Sequence, residues 1–165
     1  MIVLIAIVVI SQSFGIQGAM NIVFEDMTCP FYSEEYFEEP DTFINDQNAL
    51  VVNVSILKPV PIESQGCFKL TGASMGEYVV DTGFNVQLDL CDAIEEPIIM
   101  GRLFQAFGFS VDDCPPGIGV YGSEGYIMPT DTFPDEFPPN KYLVELSILL
   151  EEKPLLILHT FVSIQ

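Results

Sequence analysis

The chain has 165 residues, enough for one domain with a sizeable core, and sets 24 acidic side chains against 5 Lys and Arg for a net charge of −19. Such an acidic surface argues against nucleic acid and anionic membranes as partners. A hydrophobic fraction of 49% with abundant aromatics argues equally against disorder.

Residues 2–10, IVLIAIVVI, form an unbroken apolar run followed by small residues at Ser11, Ser13, Gly15, Gly18 and Ala19. The run is too short to span a bilayer and has the form of a signal-peptide core. We therefore expect a signal peptide over about 1–18, a single domain over 19–165, and a secreted, extracellular protein. Asn53-Val54-Ser55 is a glycosylation sequon, and Asn53 falls on the polar side of its predicted strand.

Residues 20–26 read as a first strand. Residues 29–46, CPFYSEEYFEEPDTFIND, are acidic and aromatic. The spacing of Glu34, Glu35, Glu38, Glu39 and Asp41 matches no calcium loop, so a solvated loop is expected. Residues 49–57 alternate, with Val52, Val54 and Ile56 against Asn53 and Ser55, until Lys58-Pro59-Val60-Pro61 stops the ladder. Two short strands follow at 66–71 and 77–81, punctuated by Gly72 and Gly76, and Asp81-Thr82-Gly83 reads as a turn. The next strand alternates cleanly. Phe84, Val86, Leu88 and Leu90 lie on one face, Asn85, Gln87 and Asp89 on the other, and the strand ends at Cys91.

A helix is predicted over 97–108, with Pro97 at its start and Gly108 at its C-terminal cap. Ile99, Leu103, Ala106 and Phe107 share one helical face, which Ile98, Met100 and Phe104 widen. Gly101 within it costs about 1 kcal/mol relative to Ala. Residues 114–125 read as loop, 126–129 as a brief pairing, and 129–140 as a proline-rich connection holding Phe133 and Phe137. Residues 141–150 alternate, with Val144, Leu146, Ile148 and Leu150 on one face. Glu151-Glu152-Lys153-Pro154 is a turn, and 155–164 is a nearly all-apolar strand suited to a sheet centre. Short strands with regular turn signals predict an all-β, antiparallel two-sheet sandwich carrying one short helix.

Four cysteines in a secreted chain fit two disulfides. Three connectivities are open; the one expected is Cys91–Cys114 with Cys29–Cys67, against the alternative of free buried thiols. No catalytic template emerges. The sole histidine, His159, sits in an apolar strand run without a nucleophile elbow. Zinc-type His/Cys clusters and a phosphate-cradling glycine loop are absent from the sequence. The expectation is therefore a non-enzymatic protein without metal or cofactor. What exceeds structural need is apolar surface at 98–109. It reads either as a core helix closing one end of the sandwich or as a lid over a cavity between the sheets, and periodicity does not separate the two.

The order N-V-S-I-L-K-P, V-Q-L-D-L-C, D-C-P-P and F-P-D-E-F-P-P-N-K-Y-L-V-E resembles the secreted lipid-recognition domains abbreviated ML, in their ganglioside-activator-like and insect chemosensory-type branches. The likeness covers about residues 20–165 and is carried by Asp89-Leu90-Cys91, Cys114-Pro115 and the approach to the penultimate strand. It implies an immunoglobulin-like sandwich that opens to take lipid, with Cys91 and Cys114 matching the disulfide segment beside the cavity mouth, and no enzymatic activity. The chain departs from the family in having only four cysteines, no tryptophan and a very acidic surface, which favours soluble carriage over extraction from membranes. The resulting expectation is a monomeric carrier or presenter of a lipid or other apolar ligand, without stable membrane insertion and with a protein receptor as a further partner. Its cavity residues would be Phe84, Val86, Leu88, Ile99, Leu103, Phe104, Phe107, Val144, Leu146 and Ile148. The alternative is a secreted recognition module with a filled core that binds a protein through its acidic, aromatic loop at 31–43.

Overall fold

The computed structural model describes residues 20–130 and 137–165; the apolar N-terminal run and Phe133 lie outside them. Ten elements follow in chain order: β1 (Ile22–Tyr32), β2 (Asp41–Ile44), β3 (Leu50–Ile56), β4 (Gln65–Ser74), β5 (Glu77–Asp89), α1 (Leu90–Glu95), α2 (Met100–Ala106), β6 (Gly119–Tyr126), β7 (Asn140–Leu150) and β8 (Lys153–Ile164). They form an antiparallel, two-sheet, all-β sandwich. The larger sheet runs β1–β8–β7–β4–β5 and the smaller β2–β3–β6.

The period-two alternation of β7 and β8 sets the register. Val144, Leu146 and Ile148 stand opposite Thr160, Leu158 and Leu156, so both strands turn the same set inward. Two-residue turns with positive φ at both positions join β7 to β8 (Glu151, Glu152) and β4 to β5 (Met75, Gly76). That handedness matches the twist of the strands it connects. One contiguous core gathers Phe24, Phe37, Val52, Val54 and Ile56 with Phe68, Leu70, Val144, Leu146 and Leu158.

The two layers differ in width. Five strands at a spacing of about 4.8 Å put the outer strand axes about 19 Å apart, against about 10 Å for three. At one margin the sheets meet, where Thr42 Oγ1 donates to the Met27 carbonyl at 3.3 Å. The overhang therefore falls on the other margin, at β5. Part of it is covered by the two helices. An added Cβ on Gly66 of β4 would lie 2.6 Å from Ala93 Cβ of α1, so helix and strand touch backbone to side chain.

Several expectations change. Instead of one helix over 97–108 there are two short ones, and Cys91 lies in the first turn of α1 rather than at a strand end. The Asp81-Thr82-Gly83 turn is a bulge inside a continuous β5, because the ladder shifts register between Lys69↔Asn85 and Thr71↔Asp81. Turn and bulge share the same residue types, and Gly83 takes the positive φ that either requires. The expected loop at 29–46 contains the end of β1 and all of β2, and the expected loop at 114–125 contains most of β6.

The disulfide Cys91–Cys114 is present, with a Cα–Cα distance of 5.7 Å. The expected Cys29–Cys67 bond is not; both thiols are free. Cys29 is on β1 and Cys67 on β4, with β8 and β7 between them. Three strand spacings amount to about 14 Å, about twice what a disulfide can bridge. Burial, chiefly, raises the pKa of each thiol, with Glu39 adding to it at Cys29 and Glu145 at Cys67. Both shifts favour the protonated thiol over the thiolate.

Thiol titration of the unfolded, unreduced protein should find two reactive groups. Finding none would contradict the placement of these strands. Substituting Gly101 tests the helical cover. An Ala Cβ there would sit 2.2 Å from the Glu96 carbonyl oxygen and 2.6 Å from that of Ile94, reversing the sign expected from helix propensity alone. Gly101→Ala should cost about 1–3 kcal/mol by chemical denaturation, in the range of overpacked sites.

Candidate functional site

The cover over β5 is built around a carboxylate. Glu96 sits between α1 and α2, and its Oε2 accepts hydrogen bonds from the Ile99 and Met100 amides at 2.8 Å each. Its Oε1 accepts from Ile98 at 2.8 Å. One is the first amide of α2 and the other two belong to the turn that leads into it, donors that no preceding helical carbonyl serves. Partial burial raises the carboxyl pKa, but the bonds from Ile99, Ile98, Met100 and Gly101 outweigh it and hold the group below its ordinary value of 4.5. At the far end of α2, Gly108 donates to the Gln105 carbonyl and Phe109 to that of Phe104, both at 3.0 Å. This is a Schellman cap, and its apolar contact is the Phe104–Phe109 pair with ring centroids 5.8 Å apart.

Beyond the helices the inner face of β5 is open. Val86 faces inward beside Phe68, and Leu88 beside Gly66. Nevertheless Val80, Phe84 and Val86 remain 44%, 38% and 38% exposed. At the end of β5 away from α1 lies an apolar pocket of about 420 Å³. Its lining is Gly72 of β4, Val80, Thr82 and Phe84 of β5, Asn140 and Tyr142 of β7, and the preceding Phe137 and Pro138. Gly72 is six residues along β4 from Gly66, so the pocket is about 20 Å from the contact with α1.

The walls are tied together. Phe137 packs between Phe84, at 6.2 Å between centroids, and Tyr142, at 5.1 Å. Tyr142 donates its hydroxyl to the Pro138 carbonyl at 2.7 Å, and burial raises the pKa of that phenol. Asn140 Nδ2 donates to the Ala73 carbonyl at 3.0 Å. The bulge supplies the remaining wall: Thr82 Oγ1 donates to the Leu70 carbonyl at 2.6 Å and accepts from the Phe84 amide at 3.3 Å. The opposite face of β4 and β5 carries a separate concavity of about 370 Å³, polar in character, with Lys69, Asp81, Asn85 and Glu145 among its lining.

Of the residues expected to line a cavity, Phe84 does line this pocket. Val86 and Leu88 continue its face toward α1. Leu103, Phe104, Phe107, Val144, Leu146 and Ile148 are buried in the continuous core, with Ile99 packed partly buried against it. Gly72, Val80, Thr82, Phe137, Pro138, Asn140 and Tyr142 also line it and were not among the expected cavity residues. Tyr142 shares the parity of Val144, Leu146 and Ile148 and was available from alternation; the others come together only through the sheet. Asn53 is exposed on β3. His159 Nε2 meets Glu145 Oε2 at 3.0 Å, away from the pocket. Among the described residues no three His, Cys, Asp or Glu converge as a metal site, and no helix is long and apolar enough to cross a membrane. No protein-family model matches the chain, and no curated protein matches it in sequence.

The lowered carboxyl pKa gives Glu96 a defined pH signature. Its stabilising effect is complete above the unfolded value of 4.5 and is lost as pH falls through the lower folded value. Glu96→Gln should therefore be less stable than the parent at neutral pH. The two stability curves should converge below pH 4.5; a gap independent of pH would contradict the capping role.

Proposed function

We propose that this protein is a secreted, non-enzymatic carrier or presenter of a lipid-like apolar ligand, of the general kind that the ML resemblance implies. The observation carrying this reading is the half-open apolar pocket of about 420 Å³ on the overhanging strand β5. It lies within the common range of about 300–1,000 Å³ for small-molecule sites, and its mostly apolar lining with a few placed polar groups is typical of them. Its position differs from the cavity beneath a helical lid: the ligand would lie along the inner face of β5, against Phe84, Phe137 and Tyr142. Secretion and a glycan on Asn53 belong to the same proposal, supported by the apolar N-terminal run and by the exposure of Asn53.

The alternative, a protein-recognition module with a filled core, draws support from the burial of Phe104 and Phe107, on and at the end of α2, and from the exposed rings of Phe31 and Phe43. Ligand binding at β5 separates the two.

Each methylene buried in the pocket contributes about 0.8 kcal/mol. Affinity for a homologous series of long-chain alcohols should thus rise about fourfold per carbon until the pocket is full. Gly72 offers a way to block it. A Cβ there makes only ordinary contacts, 3.4 Å from Val80 and 3.5 Å from Asn140 and Tyr142, while a larger side chain would occupy the space. Gly72→Val should lower alcohol affinity at least about tenfold, or about 1.4 kcal/mol, measured by displacement of a fluorescent apolar dye. Phe104→Leu should lower stability and leave affinity unchanged. The reverse pattern would place the ligand under the helices and defeat the proposed site.

A further inference from the structure

We infer, on the basis of the pocket reading above, that the ligand is uncharged: a hydrocarbon chain carrying a hydroxyl or carbonyl group, and not a fatty-acid anion. The inference follows from where the cations are. The whole sequence holds five Lys and Arg and one His, and none of them lines the pocket. Lys58 pairs with Glu35 at 2.5 Å and Lys141 with Glu25 at 2.8 Å. Arg102 Nε donates to the Pro97 carbonyl at 3.2 Å. His159 faces Glu145, Lys69 belongs to the concavity on the opposite face, and Lys153 is exposed at the start of β8.

The backbone amides of the bulge do not replace them. The two amides of the bulge nearest the pocket are committed within the protein: Gly83 N–H donates to Asp81 Oδ1 at 2.9 Å and Phe84 N–H to Thr82 Oγ1. The phenol of Tyr142 is committed to Pro138 and the hydroxyl of Thr82 to Leu70. Asn140 uses one amide hydrogen on Ala73, leaving its second hydrogen and its carbonyl oxygen to offer. That suits one neutral hydroxyl or carbonyl. Among the described lining residues a carboxylate would meet the Asn140 amide as its one uncommitted side-chain donor and no counter-charge, inside a protein of net charge −19, which penalises both its desolvation and its approach.

Methyl dodecanoate and dodecanoate share a chain and differ in charge, so they isolate the effect. Each is titrated at neutral pH against the purified protein loaded with the neutral dye N-phenylnaphthylamine. The ester should displace the dye, and the anion should bind at least about tenfold more weakly, or about 1.4 kcal/mol. Val80→Lys, which places an ammonium at the pocket wall, should recover most of that factor for dodecanoate and none for the ester. Gly72→Val should weaken the ester. Equal or tighter binding of dodecanoate to the parent protein would overturn the selectivity while leaving the pocket in place. Failure of the dye and ester to bind, or ester binding indifferent to Gly72→Val, would overturn the pocket reading and this inference together.

Discussion

The mismatch between a five-stranded and a three-stranded layer governs this molecule. A strand that turns apolar side chains inward needs something opposite them. Here the smaller sheet is anchored at the β1 margin, and its reach ends before β5. Each Å² of apolar surface left wet forgoes about 25 cal/mol. The chain resolves the problem differently at the two ends of the overhang. At the Gly66 end, α1 and α2 fold over β4 and β5 and complete the core. At the Gly72 end, Phe137 and Pro138 approach without filling the space, and a pocket results.

The closed end shows what closure requires. Gly66 and Ala93 permit near-contact between strand and helix, and Gly101 permits the carbonyls of Ile94 and Glu96 to press against α2. Glu96 satisfies the amides at that elbow, and the Cys91–Cys114 bond ties α1 to the segment that leads into β6. Seven-residue α2 would be marginal alone; it persists because Leu103, Phe104 and Phe107 are buried. Among the described residues the open end carries neither a covering helix nor a disulfide. Its shape is set instead by a bulge that aims Phe84 inward and by the aromatic run from Phe84 through Phe137 to Tyr142. Bulges commonly re-aim side chains next to functional sites, and this one uses up its own polar groups in doing so.

Much of this was legible in the residues, and the limits have physical reasons. Alternation identified the inward faces of β5 and β7 because side-chain direction is a local property of strands. Whether a second layer faces those side chains is not local. It depends on how many strands the other sheet contains, and β6, rich in glycine, has almost no alternation to read. The same limit explains Phe104 and Phe107. Helical periodicity marks a buried face but not what buries it, and here the protein's own core does. Cys29 and Cys67 could be paired on paper because separation across a sheet is invisible in sequence. Asp81-Thr82-Gly83 was ambiguous by nature, since a bulge and a turn place the same demand on the backbone.

We propose the space along β5 as a binding site and the helical end as a closed core. Residue-resolved NMR during titration with a long-chain alcohol examines both ends at once. Saturable shifts centred on Val80, Phe84, Asn140 and Tyr142 are expected, with Leu103, Phe104 and Phe107 unmoved. Shifts confined to the helical residues, or none at saturating alcohol, would contradict the proposal.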